Sequence, residues 1–150
     1  MERTLILVKP DAVQRGLVGE IISRLERRGL QIVALKLTSV STSLAQEHYK
    51  EHAGKPFFNG LVEYITSCPI VAMVVEGPNA IEIARTTIGA TNPAAATPGS
   101  IRGDLGVSIG RNLVHGSDSV ASAQREVVLF FKKDELLNYA RTSDPWILES

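Results

Sequence analysis

A histidine at position 115 lies in a segment that favours chemistry at its imidazole ring. Two aliphatic residues precede His115 and a glycine follows it, within residues 112–118 (Asn-Leu-Val-His-Gly-Ser-Asp). Packing of the aliphatic neighbours would hold the ring, while the glycine leaves one side open to approach. A neutral imidazole near pH 7 has a free lone pair, so it can act as a nucleophile without a separate activating base.

Cationic and neutral donor side chains accompany this histidine, at strand ends and in an irregular segment of the chain. The cations are Lys9, Arg85 and Arg102, and the neutral donors are Thr91, Asn112 and Ser117. Guanidinium groups bind phosphate through two parallel hydrogen bonds, whereas lysine supplies a compact point charge. A nucleophilic histidine among such groups is what phosphoryl transfer requires. One alternative stays open at this point: a structural histidine, with cations that lie on the surface.

The elements that would position these residues are indicated by apolar spacing and by breaks at glycine and proline. Short aliphatic or β-branched runs predict strands at residues 5–8, 31–40, 70–75 and 127–131. Apolar residues at helical spacing, with capping residues and glycine stops, predict helices at residues 17–28, 43–52, 61–67, 79–88 and 134–141.

This order of elements predicts an α+β fold. The pattern is that of a ferredoxin-like βαββαβ sandwich, a four-stranded antiparallel sheet with helices on one face. Residues 1–150 are expected to form a single domain, because 150 residues is close to the commonest domain size. Residues 89–117 show no convincing periodicity, so this segment needs a reason to be ordered, and a bound ligand would supply one.

Composition and charge exclude several classes of function. The 16 basic residues balance 16 acidic ones, which argues against a specific nucleic-acid partner. The longest apolar run, residues 70–75, is too short to span a membrane. A single cysteine, Cys68, cannot form an intramolecular disulfide, and we expect a reduced, cytoplasmic protein. His48 and His52 could share one face of a helix, but no third metal ligand is evident.

Blocks of sequence along nearly the whole chain resemble the nucleoside diphosphate kinase family. The segment Arg-Asn-Leu-Val-His-Gly-Ser-Asp, with Lys-Pro-Asp near the front of the chain, is the most specific part of the resemblance. The matching blocks occur in order, at residues 4–11, 13–22, 55–58, 89–93, 98–104 and 110–119.

The resemblance implies a ping-pong reaction and assigns a role to each site residue. His115 would carry the phosphate on Nδ1, Glu126 would orient its other nitrogen, and Ser117 would support that carboxylate. Phe57 would stack on the base, and Leu61 and Ile109 would line the base cleft. Contacts to phosphates and ribose are implied for Lys9, Tyr49, Arg85, Thr91, Arg102 and Asn112, with Lys9 also counted among the catalytic residues.

Further expectations concern substrates, metal and assembly. Stacking on one aromatic ring is insensitive to base identity, so ATP or GTP would serve as donors and GDP, CDP, UDP or dTDP as acceptors. Mg²⁺ would arrive bound to the nucleotide phosphates, because the chain has no evident carboxylate cage for it. The resemblance also implies a homo-oligomer, with a hexamer expected and a tetramer as the alternative.

A noncatalytic ferredoxin-like module that binds nucleotide or nucleic acid is the rival interpretation. A nucleic-acid module would need aromatic residues exposed on the strands and a basic face. The adjacent residues Phe130 and Phe131 would point to opposite sides of a strand, so at most one faces outward. The sequence therefore favours the phosphotransferase.

Overall fold

A computed structural model describes residues 1–149 and contains a four-stranded sheet. The strands are β1 (Glu2–Val8), β2 (Gln31–Thr38), β3 (Ile70–Gly77) and β4 (Val114–Gly116). They are arranged in the order β2-β3-β1-β4, and every neighbouring pair is antiparallel. The predicted α+β class and the antiparallel sheet are confirmed.

Helices connect these strands. Their bounds are α1 (Pro10–Gln14), α2 (Val18–Arg27), α3 (Thr42–His48), α4 (Phe58–Thr66), α5 (Ala80–Ile88), α6 (Ile101–Leu105), α7 (Val120–Phe130) and α8 (Asp144–Ile147). Short 3₁₀ turns lie at Lys50–His52, Pro93–Ala95, Ile109–Arg111 and Lys133–Glu135. Within residues 1–149, no helix is both long enough and apolar enough to cross a membrane.

Helices cover both faces of the sheet, which corrects the prediction of helices on one face. In β1, Ile6 and Val8 pack in a core cluster with residues of α2 and α5. Leu5 and Leu7 pack in a second cluster with residues of α3, α4 and α7. Because alternate residues of a strand point to opposite faces, an unbroken aliphatic strand is typical of a sheet buried on both sides.

The fourth strand is not at residues 127–131, where the sequence predicted it. That run lies within and just after α7, whose buried residues Ala123, Val127 and Phe130 recur at helical spacing. Ser119 caps the helix by accepting a hydrogen bond of 3.1 Å from the backbone N–H of Ser122. The prediction was wrong because a short apolar run fits a buried strand and a buried helix equally well. The true fourth strand is β4, inside the segment predicted to be irregular.

The predicted helix at residues 134–141 is also wrong. Only the 3₁₀ turn Lys133–Glu135 forms there, and the following residues run beside the exposed edge of β2. The backbone N–H of Leu137 donates to the carbonyl of Val33 over 3.0 Å. The side chain of Gln31 donates to the carbonyl of Tyr139 over 2.8 Å. Hydrogen bonds to a neighbouring strand outweigh the weak local preference for a helix.

The long segment at residues 89–117 is ordered by contacts of its own. It contains α6, two 3₁₀ turns and β4, and Ser100 caps α6 by accepting from the backbone N–H of Gly103 over 3.0 Å. Arg102, which is only 6% exposed, donates to the backbone carbonyls of Asn112 and Gly89 over 3.0 and 3.1 Å. One buried guanidinium therefore joins the start of this segment to its end.

A substitution at Met73 tests how much burial of the central strand β3 contributes to stability. Its side chain is fully buried, so Met73→Ala is expected to lower the free energy of unfolding by about 2–5 kcal/mol, because a cavity replaces packed atoms. Urea unfolding monitored by circular dichroism measures the loss. The control is Glu63→Ala on the exposed face of α4, with an expected change within about 0.5 kcal/mol. Equal losses in the two variants would contradict this account of the core.

Candidate active site

The ring of His115 is held in one orientation by a buried carboxylate. His115 lies at the centre of β4, opposite Leu7 of β1, and its Nε2 is 2.7 Å from Oε1 of Glu126 on α7. An ionised carboxylate can only accept hydrogen bonds, so Nε2 carries the proton and donates it. Nδ1 is therefore the nitrogen with the free lone pair. The side chain of His115 is 23% exposed and faces a cavity.

Ser117 supports the Glu126 carboxylate from behind. Its hydroxyl donates to Oε1 of Glu126 over 2.8 Å, and its oxygen accepts from the backbone N–H of Leu5 over 3.3 Å. Burial alone would raise the pKa of Glu126, but the hydrogen bond and charge interaction with His115 and the hydrogen bond from Ser117 outweigh it. The net pKa lies below the usual value, so the carboxylate remains ionised at neutral pH and keeps the proton on Nε2 of His115.

Three cationic side chains, those of Lys9, Arg85 and Arg102, line the same cavity. Among residues 1–149, none of the three forms an ion pair. Burial, followed by the charge of Arg102, lowers the pKa of Lys9 to about 8. Burial, followed by the charge of Arg85, lowers the pKa of Arg102 to about 10. Burial and mutual repulsion make the charged forms of Lys9 and Arg102 less favourable, and an anionic ligand would offset both effects.

Hydrogen bonds connect Lys9 and Arg85 to residues next to and within β4. The side-chain oxygen of Asn112 accepts from Nζ of Lys9 over 2.8 Å, and its amide donates to the carbonyl of Thr91 over 3.0 Å. Arg85 donates to the carbonyl of Gly116 over 2.9 Å. Lys9 and Arg85 are therefore held near His115 by hydrogen bonds to the segment at residues 89–117.

All of the predicted site residues except Ser117 line one cavity of about 740 Å³, a volume typical of small-molecule sites. Tyr49, Phe57, Leu61 and Ile109 form its less polar end. Phe57 is 51% exposed, whereas Phe58 packs against the core. Phe57 is thus not a core residue and presents an aromatic face at the mouth of the cavity. Burial raises the pKa of Tyr49 to about 12, so its hydroxyl stays a hydrogen-bond donor at neutral pH.

His48 is a site residue that the sequence reasoning missed. Its ring packs edge-on against that of His115, with centroids 4.9 Å apart, and against Phe130 at 5.3 Å. Burial, followed by the charge of His115, lowers its pKa to about 3, so this imidazole is neutral at physiological pH. The available signal was its position on the apolar side of α3, three residues after Ala45. Glu51 and Asp118, also missed, line the cavity as well.

The chain's own donors do not form a metal cage at this site. Residues 1–149 contain no group of three or more His, Cys, Asp or Glu side chains arranged to hold an ion. Glu126 is engaged by His115 and Ser117, and the His48 ring packs against other rings. The donor set fits a divalent cation that enters with a phosphate ligand, since Mg²⁺ is commonly held by substrate phosphates and a few protein oxygens.

Comparison with known proteins identifies the family. The family model described as "Nucleoside diphosphate kinase" matches residues 2–136. A nucleoside diphosphate kinase of Carboxydothermus hydrogenoformans is 62% identical over 99% of this chain and 100% of its own length. One of Archaeoglobus fulgidus is 60% identical over 99% of each chain. The chain therefore belongs to the nucleoside diphosphate kinase family.

Solved structures agree with this assignment. A halophilic nucleoside diphosphate kinase of Halobacterium salinarum, solved in complex with CDP, superimposes with a TM-score of 0.97, at 50% identity and 99% coverage of both chains. A nucleoside diphosphate kinase family protein of Babesia bovis superimposes with a TM-score of 0.96 at 44% identity, covering 99% of this chain and 100% of its own.

The low pKa of His48 predicts how stability depends on pH. The pKa of His48 is 6.5 in the unfolded chain and about 3 in the folded protein. Between these two pH values the unfolded state binds a proton at His48 and the folded state does not, so the free energy of unfolding falls as the pH is lowered. The slope for one such group approaches about 1.4 kcal/mol per pH unit. His48→Phe keeps the ring packing but removes the titration, so it should flatten urea-unfolding stability measured from pH 6 to pH 4. A His48→Phe slope equal to wild type would contradict the prediction.

Proposed function

We propose that this protein transfers the γ-phosphate of a nucleoside triphosphate to a nucleoside diphosphate through a phosphohistidine at His115. The observation that carries the proposal is the hydrogen bond from Nε2 of His115 to Glu126, which leaves Nδ1 as the nucleophile in a cation-lined cavity. Membership of the nucleoside diphosphate kinase family supports the same reaction.

The reaction proceeds in two half-reactions that share one intermediate. In the first, the lone pair of Nδ1 attacks the γ-phosphorus in line, and the bond to the bridging oxygen breaks. The nucleoside diphosphate leaves with that electron pair, while the phosphoryl group stays on His115. Positive charge then develops on the ring, and the hydrogen bond from Nε2 to the ionised Glu126 stabilises it. In the second, a terminal oxygen of another nucleoside diphosphate attacks phosphorus, and the N–P bond breaks.

The cations Lys9, Arg85 and Arg102 hold and orient the charged phosphates. Phosphoryl transfer has little covalent chemistry for the protein to perform, so positioning and charge stabilisation account for most of the catalysis. A phosphate beside Lys9 would favour its charged form and raise its pKa from about 8. Tyr49, Thr91 and Asn112 supply neutral hydrogen-bond partners for phosphate and ribose.

The less polar end of the cavity binds the base without reading its identity. The exposed ring of Phe57 offers a stacking surface, with Leu61 and Ile109 on the cavity wall. Because every base has a π-face, the site should accept purines and pyrimidines. The relative from Halobacterium salinarum was solved with CDP, which supports a nucleoside diphosphate as the acceptor. ATP and GTP are the expected donors, and GDP, CDP, UDP and dTDP the expected acceptors.

A divalent cation, Mg²⁺ in this proposal, enters as part of the nucleotide substrate. Nucleotide kinases generally use such a cation to offset phosphate charge, and residues 1–149 offer no group of three or more His, Cys, Asp or Glu side chains that could hold it without the nucleotide. We also expect action in the cytoplasm and assembly into a homo-oligomer, a hexamer rather than a tetramer. Exposed Leu35 and Leu37 on the edge strand β2 support assembly, since apolar edge residues favour pairing.

Labelling with [γ-³²P]ATP and Mg²⁺ tests the covalent intermediate. The wild-type protein should retain an acid-labile, base-stable label on His115, release ADP, and lose the label on addition of GDP or CDP. His115→Gln should take no label, because glutamine offers no nucleophilic nitrogen. The matched control His52→Gln should still be labelled. A noncatalytic binding module would bind ATP without labelling, and such a result for the wild type would refute the proposal.

Phe57→Ala tests the stacking role. Loss of an aromatic stacking partner is typically worth about 1–3 kcal/mol per base, so KM should rise by roughly 5-fold to 150-fold. The rise should be similar for ADP, GDP, CDP and UDP, with little change in the rate at saturating nucleotide. Steady-state kinetics with each acceptor measures both quantities. Phe57→Tyr keeps the ring and serves as the control; a base-dependent loss in Phe57→Ala would contradict base-indifferent stacking.

A further inference from the structure

The chain bends sharply just before His115, at a residue in an unusual backbone conformation. Leu113 has a φ of 75° and is fully buried. A leucine seldom adopts this left-handed region, because its Cβ crowds the following carbonyl oxygen. Such a conformation persists only where the surrounding contacts hold it in place, and it often occurs at functional sites.

Two residues that follow β1 hold this bend from outside. The carboxylate of Asp11 accepts a hydrogen bond of 3.1 Å from the backbone N–H of Leu113. The backbone N–H of Lys9 donates to the carbonyl of Leu113 over 2.9 Å. Both polar backbone groups of Leu113 are thus satisfied by the segment Lys9-Pro10-Asp11, which is far away in sequence.

The Asp11 carboxylate is itself fixed from the base end of the cavity. Its other oxygen accepts a hydrogen bond from the hydroxyl of Tyr64 on α4. The guanidinium of Arg111 lies over the Tyr64 ring, 4.7 Å from its centroid. Burial, followed by the hydrogen bond to Asp11 and the negative charge of Asp11, raises the pKa of Tyr64, so its hydroxyl remains a donor. Asp11 therefore links the wall of the base cleft to the bend that precedes His115.

The bend decides where two site residues point. Asn112, on one side of Leu113, accepts from Nζ of Lys9, and His115 follows two residues later in β4. If Leu113 relaxed to a negative φ, the chain would rotate at this point. The Asn112 amide and the His115 ring would then leave the positions in which Lys9 and Glu126 meet them.

We propose that Asp11 is a positioning residue for phosphoryl transfer, acting through the left-handed Leu113 to align Nδ1 of His115. The inference rests on the proposed function, since it concerns the efficiency of the same step. A purely local role for Asp11 is the competing explanation, because an acidic residue in the first turn of α1 favours the helix dipole.

The variants Asp11→Ala and Asp11→Asn separate the two roles. Asparagine loses the charge that favours α1 but keeps an oxygen that can accept from Leu113, whereas alanine loses both. Quench-flow measurement of phosphohistidine formation at saturating ATP should show at least a 10-fold slower rate in Asp11→Ala. Asp11→Asn should stay within about 3-fold of wild type. The nucleotide dissociation constant should change less than the rate, since stacking on Phe57 and the phosphate contact of Arg85 do not involve the bend.

Amide hydrogen exchange at Leu113 provides a second measurement that does not depend on catalysis. This N–H should exchange at least 10-fold faster in Asp11→Ala and near the wild-type rate in Asp11→Asn. Tyr64→Phe, which removes only the second bond to Asp11, should move both the exchange rate and the phosphorylation rate by a smaller factor. Val74→Ala, a change in the core cluster that does not contain Leu113, controls for a general loss of stability and should leave the phosphorylation rate unchanged.

The outcomes distinguish this inference from the proposed function. If the wild-type protein forms no phosphohistidine, the proposed function fails. If the wild type forms it and Asp11→Ala does so within 3-fold of the same rate, only the positioning role is overturned. Equal losses in Asp11→Ala and Asp11→Asn would assign the effect to α1. If Asp11→Ala does not fold, Tyr64→Phe decides: faster exchange at Leu113 without a slower phosphorylation rate would overturn the inference.

Discussion

The hydrogen bond between His115 and Glu126 is the interaction on which the rest of the site depends. It joins the shortest strand of the sheet to the helix that follows it, and it determines which ring nitrogen carries the proton. An imidazole with a fixed tautomer presents its lone pair in one direction only, so the cavity can be built around that direction. The buried hydroxyl of Ser117 completes the arrangement, since a carboxylate in this position requires further hydrogen bonds.

The clustering of positive charge in the cavity is the second constraint. Arg102 serves the fold and the ligand site together, because its hydrogen bonds to backbone carbonyls order the segment that carries Asn112 and β4. Lys9 is buried next to Arg102, and burial with this like charge lowers its pKa. An anion at this point relieves the repulsion, so ligand binding and local stability are coupled.

Much of the site could be predicted from the sequence, but several positions could not. Lys9, Arg85 and Arg102 were predicted as phosphate-binding cations from their residue types and their places near strand ends, and the structure places all three in one cavity. His48 was not, because only the packing of α3 against α7 brings its ring onto His115. Asp11 was part of a recognised motif, yet its contact with Leu113 links residues about a hundred positions apart along the chain.

Some features were determined by the sequence alone: the α+β class, the first three strands, and the choice of the side chains that we propose hold a phosphate next to His115. These depend on periodicity and residue chemistry, which are local properties. Tertiary structure alone decided that residues 127–130 continue a helix rather than form a strand, and that the fourth strand is the short segment carrying His115. The physical reason is that a short apolar run can be buried as either element, and only the neighbours that cover it select one.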